Sequence, residues 1–439
     1  MNRFIIETWG CQMNVHDSEK MAGLLKVQGL TPADTIEEAD LILLNTCSVR
    51  EKAASKVFDR LGTLRPLKRR NPNLVIGVCG CVAQQEGAAI FRRAPFVDLV
   101  MGPRNLAQLG ELLERARRDG RSISLARDED PIVFPTATAA RAAGPRAYVT
   151  VMEGCNKKCS FCIVPFTRGR EVYRRAEEIL SEVELLATSG YCEIELLGQN
   201  VNAWHDGADD FASLLHQVDR IPGVRRLRFT TSHPGHLTRR IMEAMRDLPT
   251  VCNHLHLPAQ SGSDRILREM RRGYTRARYM SRVGFLRDQV PGMALSTDII
   301  VGFPGETEED FQETLELVRD VAYDQVYAFA YSPRPGTTAT SAPDAVPPEV
   351  KAERLQRLFG LAEAIQESHN SSLVGRTLEV LIDGTSRLDS AVIKGRTRCN
   401  RIVHLPKSEV SASPFLQARI TRAHAHSLTG TTSRQPSAA

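Results

Sequence analysis

The sequence has no long hydrophobic run. Nowhere in its 439 residues do the roughly twenty consecutive apolar residues of a membrane span stand together. The stretch from Met1 to Gly10 is interrupted by Glu7 and Trp9 before it reaches the length of a secretory leader. A cytoplasmic protein with no membrane partner is therefore expected. Cysteine is sparse too. Ten thiols in so long a chain cannot staple a disulfide scaffold, and in a reducing cytosol they serve as metal ligands or buried thiols. Charge of one sign is also limited, with a net value of +5. An apolar fraction of 42% with 25% charged residues is that of a globular protein, so none of these absences signals disorder. From Gln366 to the end, ten Lys and Arg stand against five Asp and Glu, which accounts for the whole net charge. A small basic C-terminal module of this kind suits contact with a polyanion.

A chain of this length exceeds one hydrophobic core, and its patterning divides it into parts. The first, residues 1–120, alternates apolar runs with helical patterns. Phe4–Ile6 leads to Cys11, Leu41–Leu44 to Cys47, and Leu74–Val78 to Cys79 and Cys81, with a fourth run at Val97–Met101. This is the rhythm of a parallel α/β sheet, whose ligand sites lie beyond the carboxyl ends of the strands. Cys11, Cys47 and one thiol of the Cys79/Cys81 pair should therefore converge on one edge. Residues 121–146 lack periodicity and predict a linker. Six strand candidates follow within residues 147–367: Tyr148–Met152, Glu193–Leu197, Arg226–Phe229, His254–Leu257, Leu295–Val301 and Gln325–Ala330. With helices between them they predict a partial (β/α)6 barrel, in which the loops after the strands carry the chemistry. Residues 368–430 alternate short β-like segments with Gly and charged turns and predict a small β-barrel. Residues 431–439 are expected to be a flexible tail.

After the first barrel strand, Cys155, Cys159 and Cys162 are spaced four and then three positions apart. A cubane 4Fe–4S cluster usually takes four thiolates, so a three-thiolate loop leaves one iron open to an amino acid's amino and carboxylate groups. Structural zinc would need a second paired C-x-x-C, which the sequence lacks. Cys192, Cys252 and Cys399 match no motif and read as small core hydrophobes.

The Cys-x-x-x-Cys-x-x-Cys loop resembles the radical S-adenosylmethionine superfamily. The likeness widens through Thr8-Trp9-Gly10-Cys11-Gln12-Met13-Asn14, the run from Asn45-Thr46-Cys47 to Ala53, Gly80-Cys81-Val82-Ala83-Gln84 and Gln260-Ser261-Gly262-Ser263, all similar to the methylthiotransferases of that superfamily. It extends through a C-terminal module that resembles the TRAM domain and omits only the end of the chain. The resemblance implies two 4Fe–4S clusters, one on Cys11, Cys47 and Cys81 and one on Cys155, Cys159 and Cys162. The second would bind S-adenosylmethionine and act as the catalytic centre. Cys81 is preferred to Cys79 because it alone stands in the matching Gly-Cys-Val-Ala-Gln context.

The resemblance further implies cofactor contacts at Gln199 and Asn200 after the second barrel strand, Gln260 and Ser261 after the fourth, and Gly302 after the fifth. Lys157, Lys158, Arg168 and Arg170 flank the triad and have the charge to neutralise an RNA phosphate or a carboxylate, although exposed loop cations usually do neither. In the TRAM-like module, Arg396, Arg398 and Arg401 are expected to face RNA. The Cys-Gln-Met-Asn, Cys-Ser-Val-Arg-Glu-Lys-Ala and Met270-Arg271-Arg272-Gly273-Tyr274-Thr275 runs resemble the branch acting on tRNA. That branch methylthiolates carbon 2 of N(6)-isopentenyladenosine at position 37, next to the anticodon. The implied partners are tRNA, an electron donor such as flavodoxin or ferredoxin, and a sulfur donor, with the protein a monomer. Other branches modify threonylcarbamoyl-adenosine in tRNA or an aspartate of a ribosomal protein. A non-catalytic RNA-binding iron–sulfur sensor would need the same module but no cofactor pocket.

Overall fold

The computed structural model describes residues 2–48, 52–125, 139–141, 143–342, 346–385, 389–409 and 413–432. Its first unit is a six-stranded parallel sheet in the order Thr31–Pro32, Arg3–Trp9, Leu41–Thr46, Val75–Gly80, Leu99–Met101 and Ser122–Ser124. The central strands are apolar on both faces because both faces are covered. Ile42, Leu44, Ile76 and Val78 pack on one side with Leu61 and Leu64 of the helix Lys52–Arg70. Leu41, Leu43, Val75 and Leu99 pack on the other with Met21 and Leu25 of the helix Gln12–Val27. Four strands overlap the four predicted runs; the two edge strands do not. Ser122–Ser124 lies in the predicted linker and corrects it there, since a three-residue Ser-Ile-Ser edge is too short to show a period. The linker's other end also differs, because Arg146 opens the next strand. Residues 126–138 and 142 of that linker lie outside the described residues. So do Val49 to Glu51 of the Cys47 run.

The central unit has six parallel strands: Arg146–Thr150, Glu193–Leu197, Arg226–Phe229, His254–His256, Ala294–Val301 and Gln325–Ala330. They form two three-stranded sheets joined by the isolated parallel bridge between Leu227 and Val251. Among the described residues the first and sixth strands do not pair, so the barrel is open. Helices such as Ala176–Thr188 and Glu308–Val321 cover its outside. The latter begins with a capping box in which Thr307 and Asp310 satisfy each other's backbone amides.

The C-terminal unit is a closed barrel in the order Thr377–Thr385, Val392–Thr397, Ile402–Pro406, Leu428–Thr432 and Phe415–Ala423. Val392–Thr397 and Leu428–Thr432 go unread in the sequence because Gly395 and Gly430 interrupt their patterns. Gly395 is required: a Cβ there would run into the Val380 side chain and lie 2.6 Å from the Leu381 carbonyl oxygen. The expected tail begins later than residue 431, since Gly430 to Thr432 complete a strand; residues 433–439 lie outside the described residues.

The basic run of this unit faces inward. Arg398 Nη2 donates to the carbonyls of Pro249 (2.7 Å) and Val251 (2.9 Å), Arg401 pairs with Asp324 and donates to Asn370 Oδ1 (2.9 Å), and Arg396 pairs with Asp383 (3.5 Å). In return, Arg226 of the central barrel donates to the Arg396 and Glu379 carbonyls at 2.8 and 3.1 Å, and Arg228 to those of Arg398 and Thr397 at 3.0 and 2.8 Å. Of the three arginines expected to face RNA, Arg398 and Arg401 therefore staple the two barrels together, while the Arg396 side chain stays with Asp383 and Asn400 of its own barrel and only its carbonyl joins the seam. Guanidinium groups bring several donors to carbonyls that a neighbouring domain would otherwise leave dry.

Candidate functional site

Three strand ends of the first unit bring Cys11, Cys47 and Cys81 together. Trp9 ends the first strand and Cys11 caps the following helix, Thr46 precedes Cys47, and Gly80 precedes Cys81 at the start of a short helix. Two asparagines fix these turns. Asn45 Nδ2 donates to the Asn14 carbonyl (2.8 Å) and to Ser18 Oγ (2.9 Å), while Asn14 Oδ1 accepts from the Cys11 thiol (3.4 Å). Gly80 has φ +86°, and a Cβ there would lie 2.5 Å from Asn45 Oδ1 and 2.6 Å from the Thr46 carbonyl, so only glycine fits. The quoted motifs thus contain their own scaffolding, a role that sequence reading alone did not give to Asn14 and Asn45.

A hydrogen bond with Cys47, helped by the charge of Arg168, lowers the Cys11 thiol to about 6 against the opposing effect of burial. Burial raises Cys81, although Arg168 pulls the other way. Cys79 stands apart. Its side chain lies in the core with Leu41, Leu43 and Met101, fully buried, and burial pushes its thiol up to about 12. A thiol with no compensating charge in an apolar core is an inert one.

The triad loop is held from several directions. Gly154 has φ +81°, and a Cβ there would fall on the Arg170 carbonyl oxygen. Its amide donates to Gln199 Oε1 at 2.5 Å, and the Cys155 amide donates to the Gly169 carbonyl at 3.0 Å. Ser160 reaches the Glu269 carbonyl through Oγ (2.8 Å) and the Met270 carbonyl through its amide (3.1 Å). Two residues further on, the buried Arg272 donates to Cys159 Sγ at 3.4 Å and to the Pro258 carbonyl at 3.1 Å. The Met270–Thr275 run therefore supports the triad, a contact no local pattern announces. Burial pushes Cys155 up to about 11 and Cys162 to about 12. Such thiols ionise when a cationic metal group binds them, and they release protons as it does.

The remaining predicted contacts divide. Gln199 and Asn200 sit beside the triad loop, with Asn200 Nδ2 donating to Glu171 Oε1 at 2.9 Å while its own buried Oδ1 makes no hydrogen bond. Gln260 adopts φ +72° and bridges Asp298 and Ile300 through its backbone. Ser261 Oγ lies 3.3 Å from Thr314 Oγ1, and Gly302 donates to Glu306 beneath the Lys351 side chain. Ser261 and Gly302 are thus engaged in packing. Among the flanking cations, Lys158 and Arg170 are exposed as expected. Arg168 is the correction: it is 3% exposed and donates to Asp17 Oδ2 of the first unit at 2.6 Å.

A cavity of about 550 Å³ opens on the first set of thiols and reaches the support of the second, although Cys155, Cys159 and Cys162 do not themselves line it. Cys11, Cys47, Cys81 and Arg168 line it, together with Gln199 of the triad's support, the rings of Phe229, Tyr327 and Phe329, and Arg396 and Asn400 of the C-terminal barrel. Within it His256 links to Ser296 Oγ (3.0 Å) and Asp298 Oδ2 (3.4 Å). The volume lies in the range of small-molecule and cofactor sites. Two sets of three thiols, each on glycine-tight loops with a buried arginine beside it, fit anionic metal–sulfur groups that keep one position open. Among the described residues, no three His, Cys, Asp or Glu groups close around one point as ligands to a single ion would.

The same three units emerge from comparison with known proteins. Residues 3–102 match Uncharacterized protein family UPF0004, residues 149–318 the Radical SAM superfamily and residues 371–432 the TRAM domain. Two relatives, from Chromobacterium violaceum and Thiobacillus denitrificans, are each 49% identical and cover 98% of both chains; both are named tRNA-2-methylthio-N(6)-dimethylallyladenosine synthase. Among solved structures, the radical S-adenosylmethionine methyltransferase TsrM from Kitasatospora setae superposes with a TM-score of 0.57 at 14% identity, covering 77% of this chain and 74% of its own. The cobalamin-dependent S-adenosylmethionine radical enzyme OxsB gives 0.53 at 12% identity, over 83% of this chain and 58% of its own. At these identities the two structures speak to the fold alone.

Proposed function

The chain belongs to the tRNA-2-methylthio-N(6)-dimethylallyladenosine synthase family of radical S-adenosylmethionine enzymes, and we propose that it methylthiolates carbon 2 of N(6)-isopentenyladenosine at position 37 of tRNA. The observation that carries the reading is the shared cavity, which has Cys11, Cys47 and Cys81 on its wall and reaches Gln199, the residue that holds the triad loop. Cys11, Cys47 and Cys81 hold one 4Fe–4S cluster and Cys155, Cys159 and Cys162 the other. When bound, these groups supply the one-electron cleavage of S-adenosylmethionine and the sulfur that is transferred.

The chain's own residues do the positioning. Gln199 and Asn200 stand beside the triad to meet the cofactor's amino-acid end. The aromatic wall of Phe229, Tyr327 and Phe329 suits a base turned out of its stack and the apolar prenyl group it carries. Because Arg398 and Arg401 are committed to docking and Arg396 to Asp383 and the cavity wall, RNA contact falls to another row. Cross-strand pairing sets Arg422 beside Thr429, Thr429 beside His404 and His404 beside Lys394, one band across four strands. Backbone contacts of this kind give salt-sensitive affinity. A flavodoxin- or ferredoxin-like electron donor, a separate sulfur donor, a monomeric state and a cytoplasmic setting complete the reading; no described helix is long and apolar enough to cross a membrane.

Mass spectrometry of isopentenylated tRNA after anaerobic incubation with the reconstituted protein, reductant, sulfide and S-adenosylmethionine tests it. A methylthio group on carbon 2 is expected. Modification of a ribosomal peptide or of threonylcarbamoyl-adenosine instead, with isopentenylated tRNA untouched, overturns the substrate assignment. No 5′-deoxyadenosine from a fully reconstituted, reduced protein overturns the enzyme reading.

A further inference from the structure

Four ionisable side chains are buried where the N-terminal unit meets the central barrel. Asp17 and Lys20 come from the helix that Cys11 caps, and Glu153 and Arg168 stand on either side of the triad loop. Each side chain is 4% exposed or less. Arg168 Nη2 donates to Asp17 Oδ2 at 2.6 Å, while the other approaches are looser: Arg168 to Glu153 at 3.8 Å, Lys20 to Asp17 at 3.9 Å and Lys20 to Glu153 at 4.0 Å. Two positive and two negative charges balance, but the hydrogen bonding does not close. Arg168 Nη1 and Asp17 Oδ1 are buried and make no hydrogen bond.

Such a network is a poor stabiliser. Burying ion pairs costs about as much in desolvation as their attraction returns, and a half-satisfied polar network is worse than apolar packing. The guanidinium has a second neighbour, however. Arg168 lines the same cavity as Cys11, Cys47 and Cys81, and its charge acts on the sulfurs of Cys11 and Cys81. A planar guanidinium can serve a carboxylate with one nitrogen and a sulfur with the other, which an ammonium cannot do in one fixed geometry. Hydrogen bonds to cluster sulfurs and nearby charge are two of the levers that set a cluster's potential.

We propose that the Arg168 guanidinium, fixed by Asp17, donates a hydrogen bond to a sulfur of the cluster held by Cys11, Cys47 and Cys81 and thereby sets that cluster's reduction potential. The inference rests on the cluster assignment made above. Arg168 is a positioning residue in this scheme. Reduction adds negative charge to an already anionic group, so a cation beside it favours the reduced form. Removing that cation lowers the potential, and removing the Asp17 carboxylate raises it.

The test uses the full chain with Cys155, Cys159 and Cys162 all replaced by Ala, so that a single cluster is observed in a redox titration followed by electron paramagnetic resonance. In this background Arg168→Gln is expected to lower the midpoint potential, Arg168→Lys to restore most of it and Asp17→Asn to raise it, with iron content unchanged. Iron retained with unmoved potentials in Arg168→Gln and Asp17→Asn overturns the inference alone. Shifts of the same sign in those two variants overturn it as well, since they mark general loosening. Should Arg168→Gln lose its iron, Asp17→Asn decides: an unmoved or lowered potential overturns the inference. A parent that binds no iron overturns the cluster assignment, and the inference with it.

Discussion

Replacing Arg226 with Met should undock the C-terminal barrel. The side chain is fully buried, caps the carbonyls of Arg396 and Glu379, donates to Glu379 Oε1 at 2.8 Å and lies 3.7 Å from the buried Glu193. Methionine fills much of the aliphatic volume but supplies no donor, so two carbonyls lose the guanidinium and Glu193, among the described residues, keeps Arg228, 3.1 Å away. Hydrogen bonds from charged donors contribute about 1.5–3 kcal/mol each, and breaking a buried ion pair from one side costs about 3–5 kcal/mol. These terms overlap rather than add, and about 4 kcal/mol is expected for the interface, roughly a thousandfold in the docking equilibrium. Thiol labelling of Cys192, which packs against Leu381 and Phe415 across the seam, reads this directly: its reactivity should rise by that factor while that of Cys79, in the core of a different unit, stays as it is. Arg226→Lys keeps the charge without the fork and should lose about half as much. A loss below about 1 kcal/mol in the Met variant, with Cys192 still protected, would refute the staple as the source of docking.

Other substitutions probe the site and its pH response. Cys79→Ala should retain full iron loading and lose only about 1 kcal/mol of stability as a core truncation, whereas Cys81→Ala should lose the iron of its cluster; equal iron loss in both would reverse that assignment. Gly154→Ala forces a side chain onto the Arg170 carbonyl at a positive φ, so the triad cluster should fail to assemble, seen as loss of about half the reconstituted iron. Burial holds His254 neutral, its pKa lowered to about 3, so the unfolded chain takes up a proton that the folded one refuses. Its contribution to stability is present above about pH 6.5 and lost below it at about 1.4 kcal/mol per pH unit. Urea unfolding at pH 7 and 5.5 should show that slope reduced in His254→Asn. Exchanging Lys394 and Arg422 for Gln should lower the slope of log affinity for tRNA against log salt by about one for each phosphate no longer neutralised; an unchanged slope would move the RNA track elsewhere on the molecule.

The strands were legible because continuous apolar runs mark a doubly covered parallel sheet. Glu193–Leu197, Arg226–Phe229 and Gln325–Ala330 agree with their predicted limits to the residue. The thiols were legible because parallel strands deliver whatever follows them to one edge. What stayed hidden depends on partners far away in the chain. Arg226–Phe229 read simply as a strand, and Arg396 to Arg401 as a polyanion grip, yet Arg226 and Arg228 are spent on the backbone of that run across about 170 residues. Arg168 read as a loose loop cation because nothing local announces Asp17, 151 positions earlier. Charge in a sequence gives no sign of whether water or a carboxylate will meet it.

Arg396 and Asn400 belong to the last domain and yet line the chamber that Cys11 and Gln199 line. The C-terminal barrel is therefore masonry as well as handle. A chain cut before it would lose its hold on the substrate and would also leave the chamber short of a side, letting bulk water in where reactive carbon chemistry needs a dry enclosure. Grip and reaction share a wall, so a substitution in that wall bears on both at once.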